Sequence, residues 1–395
     1  MRTEDELTGA LRAAAEYAPG EHGLLEGIAL RRRRRTRRRA RALAAAAAVV
    51  VLAAGVRGVL YRGGEVDAVT PTGRPTPTDL PREPGKALPM ERLWPKAIFT
   101  MPARNSGGLR YLPIRAISPT TLLLVALGPV KEPDRLEAYD SATGRARVIA
   151  TAQGTAASVF SSAATDGSTV AWYAFGKKGA TRVLEIWTVP LAGGQARLLT
   201  TLTGTRGQIG QLAVDGDRVV WSERSGGVWH LPLAGGAPRR LPGGDGLHLN
   251  SWPYAGDAPG GADTGDGNQS KVVDLLRGTV IEVKVRKGTK GLRCGPAWCF
   301  GRGPDGGFVQ RVDGTGITDV KGFGHPKPLS MAPAFDRFVP TDDGVYDIRT
   351  GKVGSIGKKS GYIAIGSANP GGVISWRGGP DTVKVLNLAA VPPAQ

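Results

Sequence analysis

The stretch TVPLAGGQARLLTT (residues 188–201) returns in altered form as HLPLAGGAPRRLPG (residues 230–243). The phrase Pro-Leu-Ala-Gly-Gly recurs with an offset of 42 residues, and a tryptophan precedes both copies at the same distance. Self-similarity at such a period is typical of proteins that are assembled from copies of one small unit. The chain is therefore expected to be an array of similar units.

Six segments share this pattern when they are aligned on the glycine that ends it. They end at Gly144, Gly194, Gly236, Gly278, Gly316 and Gly351, with spacings of 50, 42, 42, 38 and 35 residues. A seventh segment, VLNLAAV, keeps the apolar and polar pattern and ends at Val391 without the glycine. The pattern predicts a strand that runs into a tight hairpin, where Asp, Asn or Pro stops the ladder and glycine supplies a positive φ.

Further apolar strands flank each hairpin, which gives three or four short strands in about 40 residues. The upstream strand usually holds a tryptophan, and two units have Leu124 or Val339 instead; the tryptophans are Trp172, Trp221, Trp252, Trp298 and Trp376. Seven such units predict an all-β fold, a seven-bladed β-propeller. A sandwich or a β-solenoid fits less well, because sandwich strands do not recur as near copies and solenoid coils are usually shorter.

The ends of the array predict how the ring closes. The seventh unit reaches VPPAQ before it can form an outer strand. KAIFT (residues 96–100) resembles outer strands such as RARVIAT but has no unit of its own. If residues 96–101 complete the last blade, no sheet edge stays open. We expect a seven-bladed propeller over residues 96–391, with six blades as the alternative.

The first 95 residues predict three segments. Residues 1–41 begin with a short helix, which Thr3 and Glu6 cap, and end in an arginine-rich run. Residues 42–61 are apolar except for Arg57 and are long enough for a transmembrane helix. Residues 62–95 are rich in proline and threonine and predict an extended stalk.

Nine arginines determine the predicted topology, because basic residues beside a span stay in the cytoplasm. They are Arg31, Arg32, Arg33, Arg34, Arg35, Arg37, Arg38, Arg39 and Arg41. The propeller would then be extracytoplasmic, on a single-pass protein of the cell membrane. Two alternatives remain: a cleaved export signal, and a soluble protein whose arginine run binds nucleic acid.

The repeat pattern resembles the broad propeller group that includes TolB-like and WD-repeat-like domains, although this chain lacks the Trp-Asp dipeptide of WD repeats. The layout of cytoplasmic helix, arginine run, single span and propeller is similar to membrane-anchored propeller proteins common in actinobacteria. This resemblance implies the fold and the layout, and it assigns no functional residue.

The chain carries a net charge of +18, and residues 62–395 contribute +12 of it. A basic balance over a large domain suits anionic surroundings such as phospholipid head groups or wall polymers, although arginine-rich composition bias gives the same balance. The two cysteines, Cys294 and Cys299, have no second pair with which to bind zinc. They predict a small-loop disulfide in an oxidising compartment, and two buried free thiols are the alternative.

Four histidines limit the available acid–base chemistry. His22 falls on the predicted cytoplasmic side, and His230 occupies a strand position that other repeats fill with Thr, Val or Gln, which favours a structural role. His248 and His325 lie near predicted loops and could line a propeller face. No Gly-x-Ser-x-Gly elbow accompanies them, so we expect no catalytic residue.

Two kinds of loop could bind ions. A glycine-rich loop carries Asp257, Asp263, Asp266 and Asn268, but it lacks the alternating ligands and terminal Glu of a calcium loop. The basic loops are GKKGAT and VRKGTKGLR, the second with Arg286, Lys287, Lys290 and Arg293. Solvated loops are the simpler interpretation of both, and we expect no metal and no cofactor.

These observations favour a non-catalytic binding module for a protein or an anionic cell-envelope ligand, held at the membrane by one span. The first alternative is an exported propeller enzyme, a glycan-active hydrolase or lyase. The second is a nucleic-acid binder, which is not expected because few aromatic residues alternate with the basic ones.

Overall fold

The computed structural model describes residues 80–128, 134–152, 162–204, 208–260, 266–320, 332–341, 343–357, 364–365 and 371–394. These residues form seven four-stranded sheets, and the predicted seven-bladed β-propeller is confirmed. The described chain begins with β1 (Leu88–Pro89), helix α1 (Met90–Leu93), the 3-10 helix Pro95–Ala97 and β2 (Ile98–Pro102).

Five blades consist of four consecutive strands each. Blade 1 contains β3 (Arg110–Ala116), β4 (Thr121–Leu127), β5 (Arg135–Asp140) and β6 (Arg145–Thr151). Blade 2 contains β7 (Ser162–Thr165), β8 (Thr169–Lys178), β9 (Thr181–Pro190) and β10 (Arg197–Thr203). Blade 3 contains β11 (Ile209–Asp215), β12 (Arg218–Glu223), β13 (Val228–Pro232) and β14 (Arg239–Arg240). Blade 4 contains β15 (His248–Ser251), β16 (Tyr254–Gly256), β17 (Lys271–Asp274) and β18 (Thr279–Glu282). Blade 5 contains β19 (Lys290–Cys294), β20 (Trp298–Gly303), β21 (Gly306–Arg311) and β22 (Thr318–Val320).

Blade 7 joins the beginning of the propeller to its end. It contains β26 (Ala364–Ile365), β27 (Val373–Arg377), β28 (Thr382–Asn387) and, as its fourth strand, β2. β2 is antiparallel to β28, in a register that runs from Ile98↔Leu386 to Pro102↔Thr382. The 3-10 helix Leu388–Ala390 follows β28. The predicted closure is confirmed, and the closing strand begins at Ile98.

Blade 6 recruits an additional strand from the N-terminal side. It contains β23 (Phe338–Thr341), β24 (Gly344–Asp347) and β25 (Val353–Ser355). β1 pairs with β25 in parallel register. It therefore lies outside the predicted hairpin, which joins β24 and β25. The amide of Arg82 donates to the carbonyl of Ile348 at 2.9 Å, and Gly85 donates to Gly351 at 2.8 Å.

The packed domain therefore begins before residue 96, which corrects the predicted stalk of residues 62–95 over its last part. Residues 80–95 lie against blade 6, where Met90 and Trp94 are buried. A Cβ atom on Gly354 would lie 2.5 Å from the Trp94 ring, so this glycine admits the indole. The sequence did not indicate that these two apolar residues are buried, because they lie in a proline-rich segment.

The remaining N-terminal predictions lie outside the described residues. They concern the cytoplasmic segment (residues 1–41) with its nine arginines, the span (residues 42–61) and residues 62–79 of the stalk. Among the residues that the structure describes, no helix has the length and apolar composition needed to cross a bilayer.

The repeated phrase forms the predicted hairpins. All six repeat glycines have a positive φ, between 58° for Gly316 and 140° for Gly194. The Asp140 carboxylate accepts from the amide of Ala142 at 2.8 Å. In the seventh repeat, Asn387 accepts in the same way from Ala389 at 3.0 Å. The side-chain acceptor is thus retained without the glycine, and it caps a 3-10 helix instead of a hairpin turn.

The hydrophobic core lies between neighbouring blades. One cluster joins blades 1 and 2 and includes the stacked rings of Trp172 and Trp187, 6.4 Å apart. Trp172, Trp221, Trp298 and Trp376 lie in second strands, as the repeat predicts. Trp252 does not, because blade 4 turns between β15 and β16 at Trp252 and Pro253.

Candidate functional site

A polar groove lies between blades 7 and 1 and has a volume of about 300 Å³. Its walls come from the end of β2, the connection of residues 103–109, and strands β3, β5 and β6. The lining residues are Pro102, Arg104, Asn105, Ser106, Tyr111, Arg135, Glu137, Tyr139, Gly144, Ala146 and Val148. We call this feature the 7/1 groove.

Strand β5 supplies the polar floor of the 7/1 groove. Arg135, Glu137 and Tyr139 alternate along it and therefore share one face of the sheet. The residues between them, Leu136 and Ala138, face the opposite side and pack in the core shared with blade 2. A cation, a carboxylate and a phenol are thus lined up at steps of roughly 7 Å.

Glu137 is only 3% exposed, and two side chains hold its carboxylate. The Tyr111 hydroxyl donates to Oε2 at 2.8 Å, and Asn105 Nδ2 donates to Oε1 at 3.1 Å. A carboxylate accepts about four hydrogen bonds, so roughly half of its capacity remains.

Asn105 is itself held in place by the connection between β2 and β3. Its Oδ1 accepts from the amides of Gly107 at 3.0 Å and Leu109 at 2.9 Å. These two bonds fix the amide plane, so that Nδ2 points to Glu137. The Arg104 Nη1 donates to the Gly108 carbonyl at 2.8 Å and ties the same turn together. The donor to Glu137 is therefore preorganised.

The two phenols of the groove keep their protons. Burial, with the hydrogen bond to Glu137, raises the pKa of Tyr111 well above its usual value. Burial and the nearby Asp140 carboxylate raise the pKa of Tyr139. The Tyr139 ring stacks on Phe99 at 6.0 Å. Among the described residues, no group hydrogen-bonds its hydroxyl.

Arg135 is half-buried at the start of β5 and lies on the same face as Glu137. No ion pair joins these two side chains within the described part of the chain, and no carboxylate there binds the Arg135 guanidinium. The groove thus presents a cation that the described residues leave unneutralised.

The predicted histidines lie apart from the 7/1 groove. His230 lies in β13 and is partly buried; burial and then Arg218 and Arg239 lower its pKa. His248 is buried in β15, where burial and then Arg293 lower its pKa. Both rings therefore favour the neutral form. His325 lies outside the described residues.

The described acidic residues of the blade 4 loop form hydrogen bonds and ion pairs with neighbouring residues. The Asp257 carboxylate accepts from the amide and hydroxyl of Ser270, and Asp266 is paired with Lys290 at 3.2 Å and Arg302 at 3.0 Å. Asn268 accepts from the amide of Leu292 at 2.9 Å. Asp263 lies outside the described residues, and no cluster in the rest forms a metal site.

Arg293 does not belong to the exposed basic loop in which the sequence placed it. It lies in β19, 1% exposed, and donates to the carbonyls of Pro259 and Gly267, both at 2.7 Å. Burial lowers its pKa to about 10. It therefore organises the blade 4 loop, while Arg286 and Lys287 are exposed.

The two cysteines face each other across β19 and β20, in the register Cys294↔Cys299. They are joined by a disulfide, and both are fully buried. The sequence singled out this pair, but it did not single out Glu137 or Arg135. The only available signal was the alternation of polar residues in RLEAYD, which any half-buried strand also shows.

No protein-family model matches the chain, and no curated protein is similar to it. Solved structures are similar at the level of the fold. A chain of the mitotic checkpoint complex has 12% identity and a TM-score of 0.38, over 85% of this chain and 99% of that one. TolB from Acinetobacter baumannii has 16% identity and a TM-score of 0.31, over 50% of each chain. An oligogalacturonate lyase in complex with manganese has 9% identity and a TM-score of 0.32, over 79% and 99%.

Proposed function

We propose that this protein is a membrane-anchored, extracytoplasmic propeller that binds a cell-envelope ligand in the 7/1 groove without catalysing a reaction. The observation that carries the proposal is the preorganised carboxylate of Glu137. A buried carboxylate is expensive unless its hydrogen bonds are made, and here two side chains at the wall of an open groove make them. Such a group is suited to hold a ligand.

The raised pKa values of the two phenols in the groove favour binding over chemistry. The raised pKa values of Tyr111 and Tyr139 keep both phenols neutral. General acid–base catalysis works best with a group whose pKa lies near the working pH. The +12 charge of residues 62–395 favours an anionic ligand or surface.

The binding role is tested by blocking the groove. Ser106 is exposed at its wall, so Ser106→Trp fills the entrance. Ser225→Trp makes the same exchange at an exposed position of blade 3 and is the matched control. The full chain, purified in detergent, is mixed with cell envelopes from its source organism and sedimented. We expect Ser106→Trp to lose envelope binding and Ser225→Trp to keep it; equal binding by both rejects the groove.

The topology is tested separately on intact cells. External protease should remove a C-terminal tag and leave an N-terminal tag intact, because the predicted span holds residues 1–41 inside. Protection of both tags would reject the extracytoplasmic placement and favour the cytosolic nucleic-acid binder. Release of products from envelope glycans by the purified chain would favour the enzyme instead.

A further inference from the structure

The strongest unassigned feature is the order of charges along the floor of the 7/1 groove. Arg135 and Glu137 lie two residues apart on one face of β5, yet they form no ion pair. Arg135 also has no acidic partner elsewhere among the described residues. A charged guanidinium half-buried beside a cavity is best stabilised by an anion, which it holds with paired N–H donors.

Glu137 needs hydrogen-bond donors from a ligand, whereas Arg135 needs an anion. Its two present donors, from Asn105 and Tyr111, are neutral, and each satisfies one oxygen. The remaining lone pairs of both oxygens need further donors. A ligand that places its anion on Arg135 must therefore present hydroxyl groups, or similar donors, to Glu137.

Tyr139 is the next polar residue along the same face of β5. Its hydroxyl can donate and accept, and it has no hydrogen-bond partner among the described residues. Phe99 stacks on one face of its ring. A volume of about 300 Å³ is at the lower end of small-molecule sites.

We infer that the 7/1 groove takes an anionic sugar of one or two rings, with the anionic group on Arg135 and ring hydroxyls on Glu137 and Tyr139. This rests on the proposed binding role of the groove and names its ligand class. A free amino acid also carries an anion and a donor, but it would engage only the first two residues and leave Tyr139 unused. A carboxylate and a phosphate fit the guanidinium equally well, so the experiment separates them.

The test is calorimetric titration of the full chain in a zwitterionic detergent that has no sugar head group. The probes are glucuronic acid, glucose 6-phosphate, glucose and alanine. We expect one or both anionic sugars to bind at least about tenfold more tightly than glucose, because a charge-assisted bidentate contact is added. The tighter of the two identifies the anion as carboxylate or phosphate.

Two matched arginine variants and one variant of Glu137 locate the contact. Arg135→Gln should lower the affinity for the anionic sugar by roughly tenfold to a hundredfold and leave glucose unchanged. Arg145→Gln removes the same charge from the exposed start of β6 and should bind like the parent protein. Glu137→Gln should weaken all three sugars, since it alters the acceptor for the hydroxyls.

The inference is overturned if glucose binds as tightly as the anionic sugars, if alanine binds more tightly, or if the two arginine variants behave alike. It is also overturned if no sugar binds while Ser106→Trp still abolishes envelope binding. In that case the groove keeps its binding role and only the ligand class is wrong. If Ser106→Trp leaves envelope binding intact, the proposed function itself has failed.

Discussion

Two buried carboxylates, Glu137 and Asp336, lie at junctions between blades and differ in what surrounds them. Glu137, between blades 7 and 1, is held by side chains at the wall of an open groove. Asp336, between blades 5 and 6, accepts from the backbone amides of Ala297 at 3.3 Å and Trp298 at 3.1 Å. Their exposures are almost equal, at 3% and 6%.

Asp336 is packed closely against the backbone of blade 5. A Cβ atom on Gly295 would lie 2.5 Å from Asp336 Oδ1, so the absence of that atom is what admits the carboxyl group. Asp336 also has a φ of 50°, a conformation that costs energy for any residue with a side chain. The backbone accepts this cost because the carboxyl group satisfies the turn that follows the disulfide-bonded Cys294.

Burial alone therefore does not distinguish a binding group from a structural one. The distinction lies in the donors and in the space beyond them. Backbone donors in a closely packed junction indicate a structural role for Asp336, whereas side-chain donors beside a groove leave Glu137 accessible to a ligand.

The largest expected effect is the loss of the Asp336 carboxyl group. Asp336→Ala leaves two buried amides without acceptors and should lower the free energy of unfolding by about 2–4 kcal/mol. Denaturant unfolding of the full chain measures this loss. Asp336→Asn is the control, because its amide oxygen can still accept and should restore most of the stability. A loss below about 1 kcal/mol for Asp336→Ala would contradict the structural role.

The same carboxyl group should make stability depend on pH. Burial raises the pKa of Asp336 to about 7, against the opposing effect of its two amide donors and of Arg349 and Arg311. The folded state then binds more protons than the unfolded state between about pH 4 and 7, so stability falls as the pH rises through this range. The decrease should be on the order of 2–4 kcal/mol, because a pKa that differs by one between the folded and unfolded states corresponds to about 1.4 kcal/mol. Unfolding curves from pH 4 to 8 measure it, and an unchanged slope in Asp336→Asn would assign it to another group.

Glu137→Ala should cost less than Asp336→Ala. The donors of Tyr111 and Asn105 face the groove, where water can replace the carboxylate, so the expected loss is about 1 kcal/mol. The same denaturant experiment compares the two alanine variants directly. A larger loss at Glu137 than at Asp336 would reverse the assignment of roles.

The smallest effect belongs to Tyr111→Phe, which removes a single donor and keeps the ring. We expect a loss of about 0.5 kcal/mol, because water in the groove can donate to Oε2 instead. Thermal unfolding of the variant beside the parent protein detects a difference of this size. A loss as large as that of Glu137→Ala would show that Tyr111 supports the core rather than the groove.

The repeat made most of the fold predictable, because each hairpin depends on local residues such as Gly144 and Asp140. Ring closure followed from counting strands, since an unpaired segment at one end matched a missing strand at the other. β1 could not be predicted, because Leu88 and Pro89 carry no strand signal of their own. The position of Trp252 was predicted wrongly, because the sequence does not show that the turn between β15 and β16 falls on Trp252 and Pro253.

The groove could not be predicted because its residues come from separate strands of blade 1 and from the connection that leads into it. Asn105 and Glu137 lie 32 residues apart, and no spacing rule connects them. The burial of Arg293 was also not predicted. A basic residue in a basic segment predicts solvent exposure, whereas the carbonyls that it binds come from a loop about 30 positions earlier.

Ring closure also depends on the order in which the strands are synthesised. β2 leaves the ribosome early, and its partner β28 follows about 290 residues later. At usual elongation rates that interval is roughly 15 to 60 s. Throughout this interval β2 has no strand partner, and an unpaired edge can join the edge of another chain. β2 must therefore be protected from pairing with another chain until the last blade has been made.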